Sequence, residues 1–95
     1  MAPAPSEIDG AKVICTAIVE KGVRPTGATT HTGPDGVIPP ANALAIVTGE
    51  ASVFLFYCDH QWQVLADTWH LSVDNAKAQA EFEYAGISKV WKDAV

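Results

Sequence analysis

The chain has 95 residues, 48% of them hydrophobic and 18% charged, with a formal net charge of −5. That length holds one small domain, and that composition excludes a disordered chain, which needs low hydrophobicity and high charge. It also excludes an electrostatic nucleic-acid or anionic-membrane binder: five Lys and the single Arg24 form no basic cluster.

The core is modest, because 15 of the hydrophobic residues are Ala. A domain this small buries only about 60–65% of its unfolded surface, so a second copy is a natural source of further burial. The acidity is uneven: residues 49–95 carry net −4 and residues 1–48 net −1. A basic protein partner fits that surface, and so does plain solubility. No apolar run approaches the roughly 18 residues of a membrane span. Met1 to Glu7 lacks the basic and apolar regions of a secretory signal, so the cytoplasm is the expected location. In that setting Cys15 and Cys58, both within apolar strand-like runs, are expected to be free buried thiols.

Residues 1–10, rich in Pro and Ala and then polar, are expected to form a disordered or loosely tethered arm. Residues 11–20 read as a central strand, with Val13, Cys15, Ala17 and Val19 on one face and Ile14 and Ile18 on the other. Residues 21–42 are a long Gly/Pro/Thr-rich loop. Within it, Gly33-Pro34-Asp35-Gly36 predicts a turn, and the pieces 28–32 and 37–38 around it predict a small hairpin. Residues 43–48 and 52–58 read as strands, the second apolar on both faces and therefore covered on both, on one side by fold or partner subunit. Asp59-His60-Gln61 predicts the turn into a returning strand over 62–69. Ser72 then offers a helix cap, Asp74 suits the first turn, and Gly86 suits the end of a helix over 73–85. Val73, Ala76, Ala80, Tyr84 and Ile87 make its inner stripe, while Phe82 points away from it. Ile87, Val90 and Trp91 predict a tail that folds back. The sum is an α+β domain over 11–95: an antiparallel sheet of about four strands with one helix in the C-terminal half packed on one face, a two-layer sandwich.

Tyr57-Cys58-Asp59, Trp62, Asp67-Thr68-Trp69-His70, Ser72 and the run Ala76-Lys77-x-Gln79-Ala80-Glu81-Phe82-Glu83-Tyr84 carry a resemblance. This string resembles a group of small uncharacterised bacterial proteins with an Asp-Thr-Trp-His strand end and an acidic helix after it. The resemblance spans residues 52–86. It implies a bacterial cytoplasmic origin and brings no activity with it.

Several groups could carry chemistry. Cys58 and His60, two apart, could form a thiolate–imidazole pair, against the plainer reading of a buried Cys followed by turn residues. His31, His60, His70 and Cys58 could hold a metal, but no ligand spacing supports one. The Thr29–Gly33 loop lacks the Gly-Lys-Ser/Thr of a nucleotide site. No cofactor and no metal is therefore expected. Asp67, Trp69 and His70 form either a recognition patch or a helix-entry packing cluster. Phe82, flanked by Glu81 and Glu83, reads either as an aromatic interface anchor with an acidic rim or as a stray aromatic on a solvated face.

The resulting expectation is a small soluble protein-interaction module, a homodimer with room for a further protein partner. Phe82, Trp69, His70, Asp67 and His31 are its candidate binding residues. Two alternatives stand beside it. One is a ligand-binding or enzymatic domain using Cys58, His60 and His70; the other is an immunity- or antitoxin-like inhibitor, an analogy of size and acidity. The residues lean neither toward nor away from an enzyme.

Overall fold

The computed structural model describes residues 1–94; Val95, the end of the expected domain, lies outside the described residues. In chain order the elements are β1 (Glu7–Ile8), β2 (Ala11–Ile18), β3 (Arg24–Pro25), β4 (Thr32–Gly33), β5 (Gly36–Val37), β6 (Ala43–Thr48), β7 (Val53–Cys58) and β8 (Val64–His70). Then come α1 (Val73–Glu83), β9 (Tyr84–Ala85), a 3₁₀ turn (Ile87–Lys89) and β10 (Lys92–Asp93). The α+β class agrees with expectation, but four strands were too few. The main antiparallel sheet has six, in the order β1-β2-β6-β7-β8, with β10 also on β2; β3–β9 and β4–β5 form two separate pairs. The additional strands are two residues long, too short to show an alternating pattern.

β6 and β7 pair without a slip from Ala43↔Cys58 to Thr48↔Val53. Alternation sends Leu44, Ile46, Leu55 and Tyr57 toward α1, where Ala76 and Ala80 meet them. It sends Ala43, Ala45, Val47, Phe56 and Cys58 to the second face, together with Ile8 and Trp62. Both faces are buried, as the two-sided apolar run requires.

β2 departs from the expected alternation. Val13 lies opposite Val47 and Cys15 opposite Ile46, so Ile14 is an extra residue in a β-bulge. Val13 therefore joins the second face, while Cys15 and Ala17 join the helix face. Because β2 is apolar on both sides, its pattern carries no mark of that shift.

Trp62 begins no strand. It sits in the turn after β7 at φ 63°, and it is buried. The Asp59 carboxylate organises that turn by accepting from the Gln61 and Gln63 amides at 2.8 and 2.9 Å. The Trp62 indole N–H donates to the Ala2 carbonyl at 2.8 Å, and the Ala2 amide donates to the His60 carbonyl at 3.1 Å. Within residues 1–10, Ala2 is thus tied to the turn and β1 is paired to β2, while most of the other residues are exposed.

Ser72 caps α1 as expected, accepting from the Asn75 amide at 3.1 Å. The helix ends at Glu83, two residues early. Tyr84 is extended, and Tyr84 and Ala85 pair with Pro25 and Arg24. Gly86 opens the 3₁₀ turn at φ 93° instead of closing the helix. A Cβ there would stand 2.4 Å from the Gly22 carbonyl oxygen, so backbone meets backbone at this crossing. The tail folds back as predicted: β10 pairs with β2, and Trp91 packs on the core beneath Lys77, whose Nζ lies 5.8 Å from its ring centre. Among the described residues, no helix is long and apolar enough to cross a membrane.

Candidate functional site

Glu83 is the last residue of α1. It follows Ala76 and Ala80 at spacings of four and three, which turns it inward with them. It is 5% exposed. A buried carboxylate is costly unless its oxygens are bonded, and these are. Oε1 accepts from the Thr29 hydroxyl and from His31 Nε2, the latter at 2.8 Å. Oε2 accepts from the Tyr57 hydroxyl and from Gln79 Nε2, the latter at 2.9 Å. Loop, strand and helix thus converge on one group. Burial pushes the Glu83 pKa up, but bonds from Thr29, Tyr57, Gln79 and His31 together outweigh it and hold it below the ordinary carboxylate value. The ionised carboxylate only accepts, so His31 carries its hydrogen on Nε2.

A polar chain runs onward from this hub. Tyr57 gives its one hydroxyl hydrogen to Glu83, so it accepts from the Thr68 hydroxyl at 3.4 Å. Thr68 in turn accepts from His70 Nε2 at 2.7 Å. Burial and the hydrogen bond to Glu83 raise the Tyr57 pKa, so the phenol stays protonated. Burial lowers the His70 pKa, against the pull of the Glu83 charge. The His31 ring lies tilted over Tyr57, with centroids 4.4 Å apart.

The long loop is fastened at further points. Thr26 donates its hydroxyl to the Phe82 carbonyl at 2.8 Å and its amide to the Glu83 carbonyl at 2.9 Å. The Ala41 amide donates to the Tyr84 hydroxyl at 2.9 Å. The predicted hairpin forms over a shorter span, with Thr32↔Val37 and Gly33↔Gly36, and the Ile38 amide bonds the His31 carbonyl at 2.8 Å. A cavity of about 190 Å³ remains beside the carboxylate, walled by Ile38, Pro39, Pro40 and Tyr84. All the acceptor sites of Glu83 face protein donors, while His31, which also lines the cavity, gives Nε2–H to Glu83 and keeps Nδ1 as an acceptor. The arrangement fastens the loop to strand and helix.

His31 is at the hub and His70 at the far end of its chain, so two of the five candidate residues meet in one network. Asp67 and Trp69 are opposite Phe56 and Phe54 on the second face, and both are exposed. Phe82 stands exposed on α1. Glu81 and Glu83 do not form a matching acidic rim around it: Glu81 accepts from the Gly86 and Ser88 amides at 2.9 and 3.0 Å, and Glu83 is internal. Cys58 and His60 are not assembled into a pair. Cys58 lies in the core of the second face, where burial pushes its thiol up to about 12, and His60 is exposed in the turn. Cys15 lies on the helix face, and both thiols are free. Among the described residues, no three His, Cys, Asp or Glu side chains gather as a metal site.

Sequence reasoning missed Glu83, Tyr57, Gln79 and Thr29. One signal was present: a glutamate in register with two alanines of the buried stripe, one turn after a glutamine. Comparison of the chain with protein-family models, curated proteins and solved structures finds no match.

Proposed function

We propose that the protein is a small protein-interaction module that works as a homodimer, docking through the second face of its sheet. The observation that carries this reading is Trp69. It is 55% exposed on that face, across from the half-buried Phe54, and Leu71 at 70% exposure follows it. Tryptophan is the residue most enriched among interface anchors, and homodimer interfaces are the most apolar class. A second copy suits the patch because an aromatic sheet face can meet itself across a two-fold axis. Helix and sheet then form the two-layer sandwich, with the partner's sheet stacked beyond. The Glu83 hub supports a binding role in that its carboxylate is spent on fixing the 29–31 loop to strand and helix. Kinship with the small bacterial proteins that share the Asp67–His70 run supports a bacterial, cytoplasmic setting.

Sedimentation velocity on Trp69→Asp and Phe82→Asp tests the assignment. Trp69→Asp is expected to sediment as a monomer at concentrations where the parent and Phe82→Asp are dimers. Dissociation by Phe82→Asp alone would move the interface to α1 and overturn the sheet-face assignment.

A further inference from the structure

β8 ends the sheet, and its backbone pairs on one side only, with β7. No other backbone bond among the described residues reaches Val64–His70. Alternate N–H and C=O groups along the outer edge are therefore free to pair with another strand. This edge is not bare. The β4–β5 hairpin stands beside its first half, leaving a groove of about 540 Å³ between them. Val37 and Ile38 line one side, and Val64 to Ala66 line the other. Val37 is 70% exposed. The hairpin wall is held in place through His31, whose imidazole bonds Glu83 and whose carbonyl bonds Ile38.

Two carboxylates, Asp35 and Asp67, also line the groove; both residues are exposed, and neither has an ion-pair partner among the described residues. We infer that the groove takes an extended peptide segment carrying Lys or Arg from another protein, added as a strand beside β8. The backbone edge supplies affinity, the apolar walls take alternate side chains, and Asp35 and Asp67 select basic ones. A second copy of this chain fits poorly here, because β8 against β8 brings two strands of acidic net charge, each carrying an Asp67, together. Leu65 is an extra residue in β8, because Cys58 pairs with Val64 and Tyr57 with Ala66, so the regular edge beside the groove starts at Ala66 and continues toward His70. The inference goes beyond the homodimer: the groove runs along the outer edge of β8 and the hairpin, and only Asp67 is shared with the sheet face of Trp69.

The test uses a fluorescein-labelled hexapeptide of alternating Lys and Val, with the Glu–Val hexapeptide as control, titrated into the full chain. Anisotropy is expected to show saturable binding of the Lys peptide that weakens with salt. The double variant Asp35→Lys/Asp67→Lys, altered only at exposed positions, is expected to lose about tenfold in affinity. Amide shifts in ¹H–¹⁵N spectra should concentrate at residues 33–38 and 64–67. Equal binding of the Glu peptide, no saturation at millimolar peptide, affinity unmoved by the double variant, or shifts confined to other surfaces would each overturn the inference. Asp35→Lys alone, on the hairpin and off the sheet face, is run beside the double variant and should also weaken the Lys peptide; sedimentation of each sample then reads the homodimer, so the two proposals fail separately.

Discussion

Removing the carboxylate of Glu83 would leave donors from Thr29, His31, Tyr57 and Gln79 around an empty centre. Glu83→Ala is expected to cost about 3 kcal/mol of stability in urea unfolding, the usual scale for a buried charged group stripped from its partners. The sign of its pH dependence follows from the depressed pKa. The stabilisation is fully present above the ordinary glutamate value of about 4.3 and is lost as pH falls through the lower folded value. Glu83→Gln should reduce this acid limb in melts taken between about pH 3 and pH 7; Glu81→Gln should reduce it as well, because the Gly86 and Ser88 amides also hold the Glu81 carboxyl low, and the double variant should flatten it further. An unchanged limb in Glu83→Gln would remove the hub from the account. The thiols give a second check. Burial raises the pKa of both Cys15 and Cys58, so an aromatic disulfide reagent at neutral pH should label neither in the folded protein and both after unfolding. Rapid labelling of Cys58 would restore the thiolate reading. The hub was only partly legible in the sequence. Helical spacing places Glu83 beside Ala76 and Ala80, but acids on helices usually face water, and its loop partners are far away in the chain.

At the level of elements, local signals worked where the chain satisfies itself locally. The β7–β8 hairpin, the Ser72 cap and the Pro34-Asp35 turn all follow from neighbouring residues. They failed where a distant segment decides. α1 stops at Glu83 because Tyr84 and Ala85 pair with β3, and no residue near Gly86 announces that. Trp62 gives up strand geometry for a left-handed turn, a strain of about 1–2 kcal/mol, while its ring fills the second face and its N–H holds Ala2. Gly86 makes the crossing testable. Gly86→Ala combines a positive φ with a Cβ 2.4 Å from the Gly22 carbonyl, and should lose about 2 kcal/mol or more. Its amide shifts should extend to residues 22–25 as well as 84–87. A variant as stable as the parent would mean that the 22–25 and 84–86 segments do not meet this closely.

For the whole molecule, the radius of gyration is 12.1 Å. A folded single domain of this length has about 12.4 Å, so the chain closes on itself without borrowing an element. A dimer is then two finished units docked face to face, and dilution should separate them without unfolding either. Two surfaces remain unfinished: the aromatic face around Trp69 and the edge of β8. The first was only partly legible: the two-sided apolar pattern of residues 52–58 is covered by the fold on both faces, and the exposed Trp69 lies on the neighbouring strand. The second was not legible, because a strand's place in the sheet depends on pairings that no local pattern encodes. The most direct test of the central claim is the native mass of the tag-free protein at low micromolar concentration, with a denatured control. The account predicts twice the 10.1 kDa chain mass for the parent and the single-chain mass for Trp69→Asp. A parent that stays at 10.1 kDa into the high micromolar range would contradict it.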